Sequence, residues 1–327
     1  MPPRLPDTRN LWNIFFFVTS WQNDWELLKG RKTSVKELVV ISGKGGTGKT
    51  SLMAAFASLA ENKALCDADV DAADLHLLLD PEIKERHDFQ GGSIAVVDPD
   101  RCTQCGLCRD LCRFDAIDDA FKVDPIECEG CGVCVDFCPE AAIDFPVKTC
   151  GEWFISDTRF GAMVHARLGI AEENSGKLVT VVRQAAKKLA QKNTLDLLLT
   201  DGPPGIGCPV IASVGGATAL LIVAEPTVSG LHDMGRVAQL AAHFKVPSMV
   251  CVNKFDLNPE QTRAIEKLAE EKNLAVVGRI PFDPVFTQSM VQGKTIFEYQ
   301  TESNIGEAVR QVWENIVESP AMNGKGV

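Results

Sequence analysis

Short, almost uniformly apolar runs recur along this chain, each ending in a glycine-rich or acidic loop and most followed by a helix-length stretch of mixed polarity. KELVVIS (Lys36–Ser42) is the first and KALCDAD (63–69) the second; later come TLDLLLTDGPPG, ATALLIVAEP, VPSMVCVNKFD and LAVVGRIPFD. Runs this short and this apolar read as strands buried on both faces, the habit of parallel sheets. The segments 50–60, 176–192, 229–244, 259–272 and 304–317 have helical spacing. Strand and helix alternate, which predicts an α/β fold with a doubly wound, mostly parallel sheet covered by helices on both sides.

One region breaks the alternation. VDPDRCTQCGLCRDLCRFDAI (97–117) aligns without a gap on VDPIECEGCGVCVDFCPEAAI (123–143), at a period of 26 residues. A duplicated unit of this size reads as a small α+β module inserted into a loop of the larger domain, with edges near Gly91, Gly92 and Pro146. The expected organisation is a main domain over 36–91 and 147–320, a module over 92–146 and an extension over 1–34. The extension carries three of the five tryptophans, and its apolar run is 14–18. A bilayer span needs about 20 apolar residues, so stable membrane insertion is not expected. The extension reads as poorly ordered chain or as the product of a start site placed too early, with Val35 a plausible start; an amphipathic anchor is the alternative. No functional role is assigned to it.

Composition sharpens this picture. At 327 residues and 45% hydrophobic, the chain can bury one large core plus a small module. A net charge of −11 argues against nucleic acid as a partner. Eight of the twelve cysteines fall between Cys102 and Cys138, a clustering that points to metal in a reducing, cytoplasmic compartment rather than to a disulfide framework.

GKGGTGKT (Gly43, Lys44, Gly45, Gly46, Thr47, Gly48, Lys49, Thr50) fits the G-x-x-x-x-G-K-[ST] phosphate loop and stands between a strand and a helix. Its glycines let backbone N–H groups close around phosphates at a helix N-terminus, with Ser51 next in line. Lys49 would reach the β- and γ-phosphates, and the Thr50 hydroxyl would bind Mg²⁺.

The cysteines are spaced Cys102-x₂-Cys105-x₂-Cys108-x₃-Cys112 and Cys128-x₂-Cys131-x₂-Cys134-x₃-Cys138. This is the spacing of bacterial two-cluster ferredoxins, in which the fourth cysteine of each run ligates the other [4Fe–4S] cube. Cluster I would take Cys102, Cys105, Cys108 and Cys138; cluster II would take Cys128, Cys131, Cys134 and Cys112. Zinc is the structural rival, but it has no use for a C-x₂-C-x₂-C triplet. Arg113 stands where the ferredoxin pattern has proline. Cys66 and Cys251 read as core residues. Cys208 reads as a small buried hydrophobe at a helix start, with a subunit-shared cluster, for which Cys150 would be the second thiol, as the alternative.

The second lysine of the phosphate loop, Lys44, gives the chain a resemblance to the deviant Walker-A ATPases, the group of MinD, ParA, the nitrogenase iron protein and Mrp-type cluster carriers. The likeness to those MinD-type members that carry an inserted ferredoxin domain covers nearly all of 36–320. It implies a homodimer formed on ATP binding, with Lys44 reaching the partner's nucleotide. It further implies that Asp69 orients the attacking water and Asp67 lies in the metal's outer shell. In DGPPGIG, resembling switch II, Asp201 would hold Mg²⁺-bound water and Gly205 would donate its N–H to the γ-phosphate. NKFD (253–256) fits the N-K-x-D guanine signature, but also sits where these ATPases set an asparagine against adenine. The signature lysine favours ATP, with Asn253 on the base. Asp71 and Asp74 read as a solvated helix start. In the segment 151–183, Arg159, His165 and Glu172 either couple clusters to nucleotide or pair with one another, His165 more as a structural histidine than as a ligand.

Three function classes follow from these expectations. One is an ATP-gated switch, Mg²⁺-dependent, slow and partner-stimulated, with Lys44, Lys49 and Asp69 catalytic, that carries two [4Fe–4S] clusters and donates electrons to a redox or metalloprotein partner. Another is an assembly factor that loads a metal centre. The last, a MinD-like positioning ATPase with structural clusters, ranks lowest, because the C-terminal helix lacks a strongly basic face.

Overall fold

The computed structural model describes residues 35–169, 175–300 and 302–323. The 1–34 extension and Glu172 lie outside them. Eleven strands are described: β1 (Lys36–Ser42), β2 (Lys63–Asp67), β3 (Glu82–Ser93), β4 (Val96–Val97), β5 (Ile143–Asp144), β6 (Val147–Thr158), β7 (Gly161–Leu168), β8 (Leu197–Asp201), β9 (Ala219–Ala224), β10 (Ser248–Asn253) and β11 (Ala275–Ile280). Nine form one sheet in the order β11-β10-β9-β1-β8-β2-β7-β6-β3. From β11 to β7 every pairing is parallel; β7–β6 and β6–β3 are antiparallel. The central sheet is therefore mostly parallel, as the alternation of the sequence predicts.

The two-residue period of a strand sorts the core into layers. Leu38 and Val40 of β1 face one side, under helices α1 (Lys49–Leu59) and α11 (Asn304–Glu318); Val39 and Ile41 face the other, under α7 (Val228–His243) and α8 (Pro259–Glu271). Helix α5 (Ser175–Lys192) covers the second side over β2, β7 and β8. It is tied to β1 by a buried ion network. Arg183 donates to both Glu37 carboxylate oxygens at 2.9 and 2.6 Å, while Lys187 and Thr200 approach the same carboxylate at 2.8 and 3.0 Å. Removing Glu37 would leave the buried Arg183 charge without its ion partner, which costs about 3–5 kcal/mol.

The segment 151–183, which has weak periodicity in the sequence, contains most of β6 and all of β7. The reason is that the β3–β6 ribbon is not buried on both faces. Most of β3 is exposed, and ion pairs tie its outer face to its neighbours: Glu152 of β6 receives Arg86 of β3 and Arg167 of β7 at 3.0 Å each. Strands of this kind have no apolar run to announce them.

The last rungs of the ribbon, Gly92↔Lys148 and Ser93↔Val147, lead straight into the cysteine repeats. There the two copies cross. Val97, which opens the first, pairs with Ile143, which closes the second; Val123, which opens the second, pairs with Ile117, which closes the first. Equivalent bonds run from Asp98 N to Ala142 O and from Asp124 N to Ala116 O, both 2.8 Å. Each repeat thus completes the other's ladder.

Candidate functional site

Gly48 ends the phosphate loop in the left-handed region (φ 87°) and opens α1, whose N-terminus has no side-chain cap. The free N–H groups of that first turn suit an anion. A Cβ at Gly48 would come within 2.4 Å of the Asn253 amide nitrogen, so only glycine fits beneath that side chain. Ser42, Gly45, Gly46, Thr47, Gly48, Lys49, Thr50, Ser51, Asp69 and Asn253 line one cleft of about 330 Å³, within the usual range for small-molecule sites. Phe282, Phe286 and Met290, absent from the sequence reading, close its far side; their signal is the PFD turn that ends the last apolar run.

Behind the loop, Lys49 Nζ meets Asp201 Oδ1 at 2.6 Å and Asp69 Oδ2 at 3.4 Å. Asp67 and Asp201 are paired neighbours at the ends of β2 and β8. Burial alone would draw the Lys49 ammonium down, but Asp201, Asp69 and Asp67 outweigh it and its pKa stands above the ordinary lysine value. Burial, and then the Asp201 charge, lifts Asp67 well above the carboxylate range. Burial likewise pushes Asp69 up to about 6, against the pull of Lys49. Three side-chain oxygens here are buried without a hydrogen-bond partner: Thr47 Oγ1, Asp67 Oδ2 and Asp201 Oδ2. A hydrated divalent cation would satisfy these orphaned carboxylate oxygens, and a phosphate would pair with the lysine beside them. These oxygen donors fit a hydrated divalent cation such as Mg²⁺.

Asp69 links the site to pH. Its fold-raised pKa favours the protonated form, so its contribution to stability is full below about 3.8 and is lost as pH rises through about 6. Asp69→Asn will therefore raise the melting temperature of the nucleotide-free protein at about pH 7, and the gain will shrink to nothing by about pH 4 in calorimetric scans.

Asn253 is at the cleft, but its amide is committed. Nδ2 donates to Thr47 O at 2.7 Å, and Oδ1 accepts from Lys254 N at 3.1 Å. It braces the phosphate loop from β10. Asn253→Ala will weaken ATP and GTP binding alike, by about 3–10-fold for one lost hydrogen bond. Direct titration with both nucleotides separates this from a base contact, which would change their ratio.

Lys44 does not line the cleft. Its Nζ meets Glu225 Oε1 at 2.5 Å, Ser229 Oγ at 3.1 Å and Thr227 Oγ1 at 3.5 Å. Lys254 shares Glu225 at 3.4 Å and also donates to Gly46 O at 2.8 Å. Glu225, at the end of β9, thus gathers both lysines beside the loop. Gly205, for its part, donates its N–H to Ser42 O at 2.9 Å.

The eight clustered cysteines divide around two cavities. Cys112 joins Cys128, Cys131 and Cys134 around one; Cys138 joins Cys102, Cys105 and Cys108 around the other. Backbone N–H groups already point at sulfur, from Gln104 to Cys102 at 3.4 Å and from Ala142 to Cys138 at 3.3 Å. Among the described residues no three His, Cys, Asp or Glu converge closely enough for a single ion. Four thiols spread around each cavity are a donor set that fits a polynuclear group.

The remaining candidates have structural partners. His165 is buried, with Nε2 at 2.9 Å from Ser156 Oγ, and burial holds its pKa down at about 4. Arg159 forks onto Glu298 at 2.5 and 2.9 Å and donates to Leu78 O and Gly293 O, pinning the β6–β7 turn to the body. Cys150 is buried in the core with Phe89, whereas Cys208 is exposed. Cys66 and Cys251 are buried in strands. No helix among the described residues is long and apolar enough to cross a membrane.

A strand–glycine loop–helix cleft at the carboxyl ends of a parallel sheet, with an acidic strand end behind the loop lysine, defines a P-loop nucleotide-binding protein. The chain belongs to the CobQ/CobB/MinD/ParA nucleotide-binding domain family, whose model matches residues 38–296; its members are, in general, nucleotide-binding ATPases. It is 32% identical over 287 residues to an uncharacterized protein of Methanocaldococcus jannaschii, covering 87% of this chain and 97% of that one. It is 26% identical over 140 residues to a cytosolic Fe-S cluster assembly factor NUBP1 homolog of Caenorhabditis briggsae, covering 37% of this chain and 45% of that protein. Among solved structures the Pyrococcus furiosus cell division ATPase MinD is similar in fold, with a TM-score of 0.53 and 19% identity over 86% of this chain and 98% of that one.

Proposed function

We propose that this protein is an ATP-binding and ATP-hydrolysing switch that dimerises on ATP and carries two [4Fe–4S] clusters, passing electrons from them to a partner redox protein. One observation carries the reading: eight cysteines partition into two crossed sets of four around two cavities, at the tip of a ribbon that belongs to the nucleotide-binding sheet. When bound, the clusters would supply one-electron chemistry. The chain's own residues hold them, cluster I on Cys102, Cys105, Cys108 and Cys138, cluster II on Cys128, Cys131, Cys134 and Cys112. At the other end Lys49, Thr50 and the loop amides would hold ATP and Mg²⁺, Asp201 would orient the metal's water, and Asp69 would orient the attacking one.

A run of contacts supports coupling between the ends. A γ-phosphate that takes up the Gly205 N–H frees it from Ser42, and three residues on stands Cys208. A Cβ placed at Gly176, in the first turn of α5, would meet the Cys208 Cβ at 3.2 Å. Next along α5, Lys177 donates to Gln90 O of β3 at 3.2 Å. The loop that senses nucleotide therefore leans on the helix that grips the ribbon.

The partial likeness to a protein named as an Fe-S cluster assembly factor favours a second reading, in which the clusters are cargo. The two separate on the anaerobically reconstituted protein. Clusters that stay bound and cycle repeatedly between dithionite and an acceptor support electron donation. Clusters that leave for apo-aconitase, restoring its activity stoichiometrically, overturn it in favour of loading.

A further inference from the structure

The 92–146 segment carries twelve acidic and four basic side chains, a net of −8 out of the −11 of the whole chain. Eleven of the twelve carboxylates are exposed; Asp98 alone is half-buried. The concentration is not a by-product of an acidic protein, because the other residues together carry only the remaining −3. Folding does little to neutralise it. Arg101 is spent on Asp98 and Asp144 at 2.6 and 2.7 Å, and Arg109 is paired with Asp119.

Apolar side chains sit within this acidic field. The short helices α3 (Leu107–Leu111) and α4 (Val133–Asp136) pack on one another and are related by the 26-residue repeat. Each ends in the same order: exposed aspartate, exposed apolar residue, cluster cysteine. These are Asp110, Leu111, Cys112 and Asp136, Phe137, Cys138. Leu111 lines a cluster cavity, but Phe137 lines neither and is 61% exposed. An aromatic ring that open to water, covalently next to a ligand of cluster I, has the properties of a docking anchor.

We propose that the α3–α4 face is the docking surface for a redox protein that presents a basic rim around an apolar patch, with Phe137 as the anchor and Asp110 and Asp136 in the surrounding field. This rests on the two-cluster reading above. The charge would steer encounter, and the ring would fix the pose beside Cys138. In each productive encounter one cluster loses one electron and the acceptor gains it, with no proton or group moved.

The test uses the full chain, reconstituted anaerobically and reduced by dithionite, with excess reductant removed. The probe is cytochrome c, a basic haem protein, and its ferric-to-ferrous rate is followed by stopped flow. The second-order rate should fall about tenfold or more between roughly 20 and 200 mM salt. Asp110→Lys with Asp136→Lys should slow it about tenfold at low salt, whereas Glu270→Lys with Glu271→Lys, an equal charge change on exposed positions of α8, should leave it within about twofold. Phe137→Ala should slow it at every salt concentration without changing the salt slope. Equal effects of the two charge reversals, or a rate indifferent to salt, would overturn the docking surface while leaving the clusters in place. A chain that takes up no iron overturns the two-cluster reading itself, and the docking surface with it.

Discussion

Cys112→Ser will remove one cluster, and it will be the cluster of the other repeat. If each run of four cysteines closed its own site, this change would open the site of Cys102, Cys105 and Cys108. The fold points the other way. Cys112 shares its cavity with Cys128, Cys131 and Cys134, while Cys138 completes the first set. Iron should drop from about eight to about four per chain, since each cube holds four. The surviving cluster should be insensitive to a further Cys128→Ser change and abolished by Cys102→Ser. Cys138→Ser should give the mirror result. Iron analysis with electron paramagnetic resonance of the reduced protein reads both. Should Cys112→Ser instead pair with Cys128→Ser in leaving no cluster at all, the crossed ligation is wrong. Stability should suffer with ligation, because among the described residues the module buries only Ala95, Ala116, Ile117, Ala142 and Ile143 as apolar side chains of its own.

The features legible in the sequence are those whose physics is local or repeated. The phosphate loop needs only its own glycines, its lysine and the strand and helix on either side. The alternation of apolar runs gave the mostly parallel sheet because β1 and β9 are buried on both faces along almost their whole length. The two runs of cysteines are legible because the repeat is gap-free, and the exchange of each fourth cysteine is read from their ferredoxin-like spacing. What escaped depends on distant segments meeting. Glu225 has no motif, yet it gathers Lys44 and Lys254 across nearly two hundred residues of chain. Asn253 reads as a base contact because its neighbours spell a nucleotide signature, whereas its bond to Thr47 O arises only when β10 lies beside the loop. The β3–β6 ribbon escaped for a different reason. Strand β3 carries charge at alternate positions, Glu82, Lys84, Arg86 and Asp88, so its two-residue period is written in charge rather than in apolar residues.

Lys44→Ala will bind ATP nearly as well as the parent but will neither dimerise on it nor hydrolyse it at a useful rate. The side chain is not among those that line the cleft of its own subunit. Its proposed work is in trans, as a cation brought to the partner's phosphates, a role worth about 10³-fold or more in rate where it has been assigned to an arginine. Here that cation is already engaged by Glu225, Ser229 and Thr227 of its own chain, and closure must trade these contacts for the partner's phosphates. A partly exposed pair of this kind holds by about 1 kcal/mol or less, so the trade is favourable once two phosphate-bearing subunits face each other. Glu225→Gln should therefore act opposite to Lys44→Ala. With the hold weakened, the ATP-dependent dimer should form at about 3–5-fold lower protein concentration in analytical ultracentrifugation, a factor set by that same energy. Lys254 keeps its second bond to Gly46 O, which leaves the loop supported in the variant. If Glu225→Gln dimerises no better, or if Lys44→Ala retains ATP-dependent dimers and hydrolysis, Lys44 is a surface anchor of β9 and the hydrolytic site is complete within one subunit.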